Sequence, residues 1–168
     1  NCAPITSAAV AGVLSSTLPD INMVSAATIA RDKGIAITET KKDEHSAYES
    51  YIRINLVSKK EKFSIGGTIF SDGHPRIVQI NGINLEAGLM PNMLYVTNKD
   101  VPGLIGSLGN ILGDEKINIA SFNLGRTGPL KDAIALIGVD KAVNDNVIKE
   151  VEKLDSVVQV KSLNFNII

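Results

Sequence analysis

The chain has 168 residues, which is enough for one medium domain or two small ones with a buried core. Its 17 basic and 18 acidic residues nearly cancel, so composition does not indicate a nucleic-acid-binding protein. A single cysteine excludes a disulfide framework and favours a cytoplasmic protein, and the apolar runs are too short to span a membrane.

The first third of the chain predicts two helices. Residues 1–4 do not have the pattern of a signal peptide, and the absence of an initial methionine suggests a piece of a longer protein. Residues 6–16 are small and mostly apolar, and Pro19 disfavours a helix just before it. A second helix is expected at residues 25–33, ending at Gly34, because glycine suits the left-handed position after a helix.

A set of strands follows these helices. Apolar and polar residues alternate in the first segment, and the others are rich in β-branched and aromatic residues. The predicted strands are residues 35–40, 48–57, 63–70 and 76–80. Residues 84–88 are expected to be a turn-like break between strand sets. Helices followed by antiparallel strands indicate an α+β module, which we assign to residues 1–88.

The second half has a different order of elements. It predicts a strand, a helix, two strands, a helix and a strand, at residues 93–98, 102–114, 117–124, 132–139, 144–153 and 157–165. This βαββαβ order is typical of the ferredoxin-like fold. We therefore predict a second α+β domain over residues 89–168.

The chain offers little for catalysis or metal binding. Its two histidines, His45 and His74, lie in polar, turn-like segments, and Cys2 lies near the chain start. They do not form a nucleophile with a base and an orienting group, nor a metal-ligand spacing. No catalytic residue and no metal site is therefore predicted.

Glycines recur along the first helix of the second half, at positions 103, 106, 109 and 113. The spacing differs from that of a dinucleotide-binding turn and puts the glycines along one helix face. We expect them to allow close approach of the helix to the sheet, with packing against a partner chain as the alternative.

The segment before this helix is the main candidate site. Asp100 can cap a helix whose first turn contains Pro102. The free N–H groups of such a turn attract an anion, while Asp100 attracts a cation. This combination suits a free amino acid, and Asn118 is a further polar candidate. Arg76, which opens a strand, is either a surface ion-pair partner or an anion contact.

Several segments together resemble the C-terminal region of long-form D-3-phosphoglycerate dehydrogenases. They are residues 21–24, 30–35, 76–82, 98–103, 106, 109, 111–113, 117–120 and 125–126. The resemblance covers nearly the whole chain. It implies an intervening, allosteric-substrate-binding domain followed by an ACT domain.

The resemblance also implies a function. ACT domains of this family pair side by side and bind L-serine at the pairing interface, so the chain is expected to form a dimer or tetramer. The matching positions are Asn98, Asp100, Val101, Pro102 and Gly103, together with Asn118 from the partner chain. Arg76 matches a basic residue that binds anions in some relatives. The catalytic residues and the NAD-binding unit belong to a preceding region, so this chain is expected to hold no cofactor.

Two alternatives remain open from the sequence. One is the β chain of an L-serine dehydratase, which also joins an intervening-type domain to an ACT domain. The expected Ser-Ser-His-Thr element and a cysteine set for a cluster are absent from this chain. The other is a free-standing amino-acid-binding module.

Overall fold

A computed structural model describes residues 3–41, 48, 50–128 and 131–165. The chain forms two compact units, Asn1–His45 and Ser46–Ile168. Within the described part, none of the helices has the length and apolar character needed to cross a membrane.

The first unit contains two helices, α1 (Ala3–Ser15) and α2 (Ala26–Asp32). Leu14, Ala26 and Ala30 are its buried apolar residues. Gly34 has a φ of +73°, and the N–H of Ile35 donates to the Ala30 carbonyl at 2.9 Å. This is the Schellman arrangement that ends a helix, so the predicted role of Gly34 is confirmed.

The predicted strand at residues 35–40 is wrong. These residues are exposed and belong to no strand. An alternating pattern produces a strand only where a neighbouring strand supplies hydrogen bonds and a core covers the apolar side. Ile35 and Ile37 have neither, and they are 42% and 39% exposed.

The second unit begins with a four-stranded antiparallel sheet. Its strands are β1 (Ile52–Val57), β2 (Lys62–Ile69), β3 (Pro75–Ile80) and β4 (Ile83–Gly88), in the spatial order β1-β2-β3-β4. The strand predicted at residues 48–57 starts only at Ile52. Tyr48 instead stacks on Tyr51 and Phe70, with ring centroids 6.1 and 6.2 Å away.

Strand β4 corrects the predicted break at residues 84–88. Asn81 and Gly82 have φ angles of +48° and +80°, as in the type I′ turns that connect tight hairpins. Ile80 pairs with Ile83 across this turn. The residues that follow alternate between buried and exposed, because Ile83, Leu85 and Ala87 face the core. The Asn-Gly pair was the signal in the sequence for this hairpin.

The remaining elements confirm the predicted βαββαβ order. They are β5 (Asn92–Lys99), α3 (Leu104–Asp114), β6 (Ile119–Arg126), β7 (Asp132–Val139), α4 (Asp145–Glu152) and β8 (Val157–Asn164). The strands form an antiparallel sheet in the order β6-β7-β5-β8. Both helices pack on one face, where Leu94 and Val96 of the sheet meet Leu108, Leu112 and Val151. The predicted α+β class is thus confirmed.

The opposite face of this second sheet packs on the first sheet. Met93, Ile134 and Leu136 form a cluster with apolar residues of β3 and β4, namely Ile77, Ile80, Ile83, Leu85 and Ala87. The two sheets therefore lie in one compact unit, and the helices α1 and α2 form the other. The division at residues 88 and 89 coincides with the change of sheet between β4 and β5, and as a domain boundary it stays a prediction.

Candidate functional site

The candidate site lies in the loop between β5 and α3. Gly103 occupies the N-cap position of α3 with a φ of +101°, and no side chain caps the helix. The predicted capping role of Asp100 is therefore wrong, and Pro102 lies in the turn before the helix. The left-handed conformation of Gly103 redirects the chain, so the helix begins at Leu104 and Asp100 is too far ahead to cap it.

Asp100 instead makes contacts across the sheet end. Its N–H donates to the Lys131 carbonyl at 2.8 Å, which holds its backbone beside β7. Its Oδ2 lies 3.6 Å from Nη1 of Arg126, and the two side chains are 16% and 63% exposed. The carboxylate is thus mostly enclosed, while the guanidinium that faces it is mainly in solvent.

Arg126 is a site residue that the sequence prediction did not include. It is the last residue of β6 and pairs with Ala133, which in turn pairs with Asn98. Three strands therefore place Arg126 in the same row as the start of the site loop. The strand order of the ferredoxin-like fold could have been used to predict that Arg126 lies near the site loop.

Asn98 is the buried polar residue of the site, with 3% of its surface exposed. It lies on the side of β5 that also carries Leu94 and Val96, since side chains alternate along a strand. Its Nδ2 donates to the Lys99 carbonyl at 2.8 Å, but its Oδ1 has no hydrogen-bond partner. A buried acceptor without a donor costs about 1–3 kcal/mol, so a donor brought to this oxygen would stabilise the folded chain.

The start of α3 supplies donors close in sequence to these acceptors. The first hydrogen bond of the helix runs from the Ser107 N–H to the Gly103 carbonyl at 3.0 Å. The preceding N–H groups of the first turn have no partner within the helix. The loop thus combines a carboxylate, an amide oxygen and helix-start N–H groups, which can bind a cation and an anion side by side.

Asn118 lies at the other end of the sheet in the same chain. It exchanges hydrogen bonds with Asp140, whose Oδ1 accepts from the Asn118 N–H at 3.0 Å. The neighbouring Ile119 pairs with Val139, which pairs with Asn92, whereas the site loop follows Asn98. Positions 92 and 98 of one strand are about 20 Å apart. Asn118 can therefore reach an Asp100 site only between two chains.

Comparison with known proteins matches two family models to this chain. Residues 1–81 match the D-3-phosphoglycerate dehydrogenase intervening domain, and residues 92–156 match the ACT domain. The chain joins a D-3-phosphoglycerate dehydrogenase intervening domain to an ACT domain. The family resemblance predicted from the sequence is thereby confirmed.

Individual relatives show how much of a longer protein the chain represents. The D-3-phosphoglycerate dehydrogenase of Bacillus subtilis is 30% identical over 161 residues, which are 95% of this chain and 31% of that protein. The Synechocystis enzyme of the same name is 31% identical over 155 residues, which are 92% of this chain and 28% of that enzyme. The chain therefore spans less than a third of these curated relatives.

A relative with another name is covered more completely. The probable L-serine dehydratase β chain of Bacillus subtilis is 27% identical over 157 residues, which are 93% of this chain and 71% of that protein.

The prediction that the glycines of α3 allow close approach of this helix to the sheet is wrong. A Cβ atom added at Gly106, Gly109 or Gly113 would meet nothing within 4 Å. The helix meets the sheet through leucines at four-residue spacing, namely Leu104, Leu108 and Leu112. The glycines lie out of phase with these leucines, which leaves a partner chain as the remaining predicted reason for them.

In the intervening domain, Arg76 takes part in a turn on the surface. Its Nη2 lies 2.9 Å from Oδ2 of Asp72, and its guanidinium carbon lies 5.5 Å from the centre of the Phe70 ring. The His74 N–H, which donates to Asp72, and the nearby Arg76 charge hold the pKa of the Asp72 carboxyl below its ordinary value. Arg76 thus forms the surface ion pair that was one of its two predicted roles, and the alternative, an anion contact, stays a prediction.

The other candidates contribute little to a site. His74 is exposed in this same turn, and Cys2 and His45 lie outside the described residues. Among the residues that the structure describes, no three His, Cys, Asp or Glu side chains are grouped to hold a metal ion.

Proposed function

We propose that this chain is a regulatory region that binds a small amino acid, with L-serine as the first candidate. It would act on an NAD-dependent D-3-phosphoglycerate dehydrogenase, an oxidoreductase that oxidises 3-phosphoglycerate in L-serine biosynthesis. The observation that carries the proposal is that the segment before α3 holds both an enclosed carboxylate, Asp100, and a buried Asn98 whose Oδ1 has no partner. A cytoplasmic location stays a prediction.

The groups of the site match those of an α-amino acid. An ammonium group has three donors, and Asp100 and Asn98 offer a charged and a neutral acceptor for them. The ligand carboxylate would accept from the N–H groups of Gly103 and of the first residues of α3. Pro102 has no N–H, and the Val101 N–H already donates to the Lys99 carbonyl at 2.8 Å. Charge-assisted hydrogen bonds contribute about 1.5–3 kcal/mol each, so two or three support binding at micromolar to millimolar concentration.

A second copy of the chain would complete the site. Strand β6 is an edge strand, so one side of its backbone is free to pair with another chain. If two β6 strands pair antiparallel about their midpoints, the start of one lies beside the end of the other. Asn118 immediately precedes β6 and Arg126 ends it, so the partner's Asn118 would come beside Arg126 and Asp100.

Regulation follows if the ligand binds one arrangement of the pair better than another. A ligand held by residues of two chains favours the arrangement in which both sets of residues are in reach. Coupling free energies of this kind are typically about 1–3 kcal/mol. The attached catalytic domains would then shift between states of different activity.

Calorimetry and thermal unfolding of the 168-residue chain test the proposal. L-Serine at millimolar concentration should release or take up heat and raise the melting temperature. Asp100→Ala should abolish both effects. Asp114→Ala is the matched control, because Asp114 is an exposed aspartate at the far end of the same helix.

The outcomes separate binding from assembly. Analytical ultracentrifugation should show self-association, and Asn118→Ala should weaken the serine response while the chains still associate. Absence of both heat and a melting shift with the unaltered chain would rule out serine as the effector. Binding that survives Asp100→Ala would place the site elsewhere.

The L-serine dehydratase β chain is the second candidate. It is favoured by coverage, since the chain spans 71% of that relative. The coding sequence upstream of Asn1 distinguishes the candidates. A strand followed by a G-x-G-x-x-G turn would indicate the dehydrogenase. A free-standing amino-acid-binding module would be encoded without a dehydrogenase domain and without a partner chain of a dehydratase.

A further inference from the structure

The contact between Asp100 and Arg126 joins an enclosed anion to an exposed cation. Asp100 is held by its N–H bond to the Lys131 carbonyl, and 16% of its side chain is exposed. The Arg126 side chain is 63% exposed, and its closest approach to the carboxylate is 3.6 Å. An ion pair of this length and exposure is weak, so a competing cation can replace the guanidinium at Asp100.

The side chain of Lys99, one residue before Asp100, is already paired. Its Nζ lies 2.5 Å from Oδ1 of Asp132, on the neighbouring strand. Among the described residues, Arg126 is the cation that forms an ion pair with Asp100. When a ligand ammonium takes its place, the guanidinium is left beside the ligand with its charge unpaired.

The charges balance for one class of ligand. In an α-amino acid a single carbon separates the ammonium from the carboxylate. When one of these groups is bound, the other therefore lies close to the same site. An ammonium at Asp100 then brings the carboxylate next to the displaced guanidinium, whose planar fork suits it. Four alternating charges result. An amine without a carboxylate would leave Arg126 beside a second cation. An acid without an amine would place its carboxylate beside the carboxylate of Asp100, which has the same charge.

We propose that Arg126 makes the Asp100 site select zwitterions, by pairing with Asp100 in the free site and with the ligand carboxylate in the occupied one. The proposal rests on the amino-acid-binding function above and adds the residue that determines its specificity. Asn98, two residues before Asp100, would supply the neutral acceptor, since its buried Oδ1 has no partner.

The test compares three ligands by calorimetry with the 168-residue chain. They are L-serine, L-serinamide, which lacks the carboxylate, and 3-hydroxypropanoate, which lacks the amine. The unaltered chain should bind L-serine about tenfold or more tightly than either analogue, since each analogue loses one charge-assisted contact.

Arg126→Met should move two affinities in opposite directions. Serine should bind about tenfold more weakly, because its carboxylate loses the guanidinium. Serinamide should bind about two- to fivefold more tightly, because its ammonium no longer competes with Arg126 for Asp100. Arg126→Lys should keep part of the serine preference, and Lys99→Met should leave the ratio of the two affinities unchanged.

The outcomes distinguish this proposal from the function on which it rests. If the unaltered chain binds serine but Arg126→Met changes both ligands equally or not at all, Arg126 is not the selecting residue. If the unaltered chain binds none of the three ligands, the serine-binding function on which the proposal rests is overturned.

Discussion

Gly125 of β6 lies directly against the backbone of Asn84 in β4. A Cβ atom added to Gly125 would be 2.6 Å from the Asn84 carbonyl oxygen and 2.8 Å from Cγ2 of Ile83. The two sheets of the second unit therefore approach each other closely where β6 has no side chain. This contact is adjacent in sequence to Arg126, so packing between the sheets helps to set the position of the site.

We expect Gly125→Ala to lower the free energy of unfolding by about 1–3 kcal/mol, because a packed backbone cannot yield to the added methyl group. Urea unfolding followed by circular dichroism measures the change. Gly88→Ala is the matched control, since a Cβ atom at this strand glycine would meet nothing within 4 Å. Equal effects of the two substitutions would mean that the contact with Asn84 is not decisive.

The open glycines within α3 should respond in the opposite sense, unlike Gly103 just before the helix. Gly109→Ala should raise the free energy of unfolding by about 0.5–1 kcal/mol at low protein concentration, since alanine favours a helix and the position is open. Gly103→Ala should lower it, because Gly103 has a φ of +101° that alanine adopts at a cost of about 1–2 kcal/mol. Weaker self-association of the Gly109 variant would indicate that a partner chain packs on this helix.

Asn98 should show a trade-off between stability and binding. Asn98→Val removes the unpartnered Oδ1 together with the Nδ2 bond to Lys99. Removing the unpartnered oxygen stabilises the fold at least as much as losing the Nδ2 bond destabilises it. The free energy of unfolding of the ligand-free chain should therefore stay equal or rise by up to about 1 kcal/mol. The melting shift with serine should disappear. A serine response that survives Asn98→Val would remove this oxygen from the proposed site.

Tyr95 should make stability depend on pH in the alkaline range. Burial raises the pKa of its phenol above the ordinary value of 10.0, since Tyr95 packs against the cluster between the sheets. The folded chain thus favours the neutral phenol. The resulting contribution is complete below about pH 9, where the phenol is neutral in both states, and is lost as the pH rises through the folded-state pKa.

The difference in unfolding free energy between the unaltered chain and Tyr95→Phe isolates this contribution. It should be constant below about pH 9 and fall at higher pH, because phenylalanine has no proton to lose. Denaturant unfolding at a series of pH values measures it. A difference that does not change with pH would show that Tyr95 ionises equally easily in the folded and unfolded chain.

Sequence patterns predicted the elements well where local and tertiary preferences agree. The βαββαβ order followed from apolar periodicity, and Gly34 marked a helix end because only glycine adopts its conformation without cost. Residues 35–40 had the periodicity of a strand but no neighbouring strand. Strand β4 was missed although Asn84 and Glu86 alternate with apolar residues after the Asn81–Gly82 turn, because asparagine, glutamate and glycine are residue types that strands disfavour.

The candidate site was predicted only in part. Asn98, Asp100 and Gly103 are close in sequence, so a local pattern was enough to group them. The predicted capping role of Asp100 was wrong, because α3 begins only after the left-handed Gly103. The burial of Asn98, which leaves its Oδ1 without a partner, was not predicted. Neither the conformation of Gly103 nor the burial of Asn98 follows from the residue type alone.

The amino-acid order by itself determined the fold class and the family, because both depend on periodicity and on short motifs that the chain carries locally. Only the tertiary structure brought Arg126 to Asp100 and Gly125 to Asn84. Those contacts depend on the register of three strands and on the packing of two sheets. Register and packing are set by the whole core at once, so no short segment encodes them.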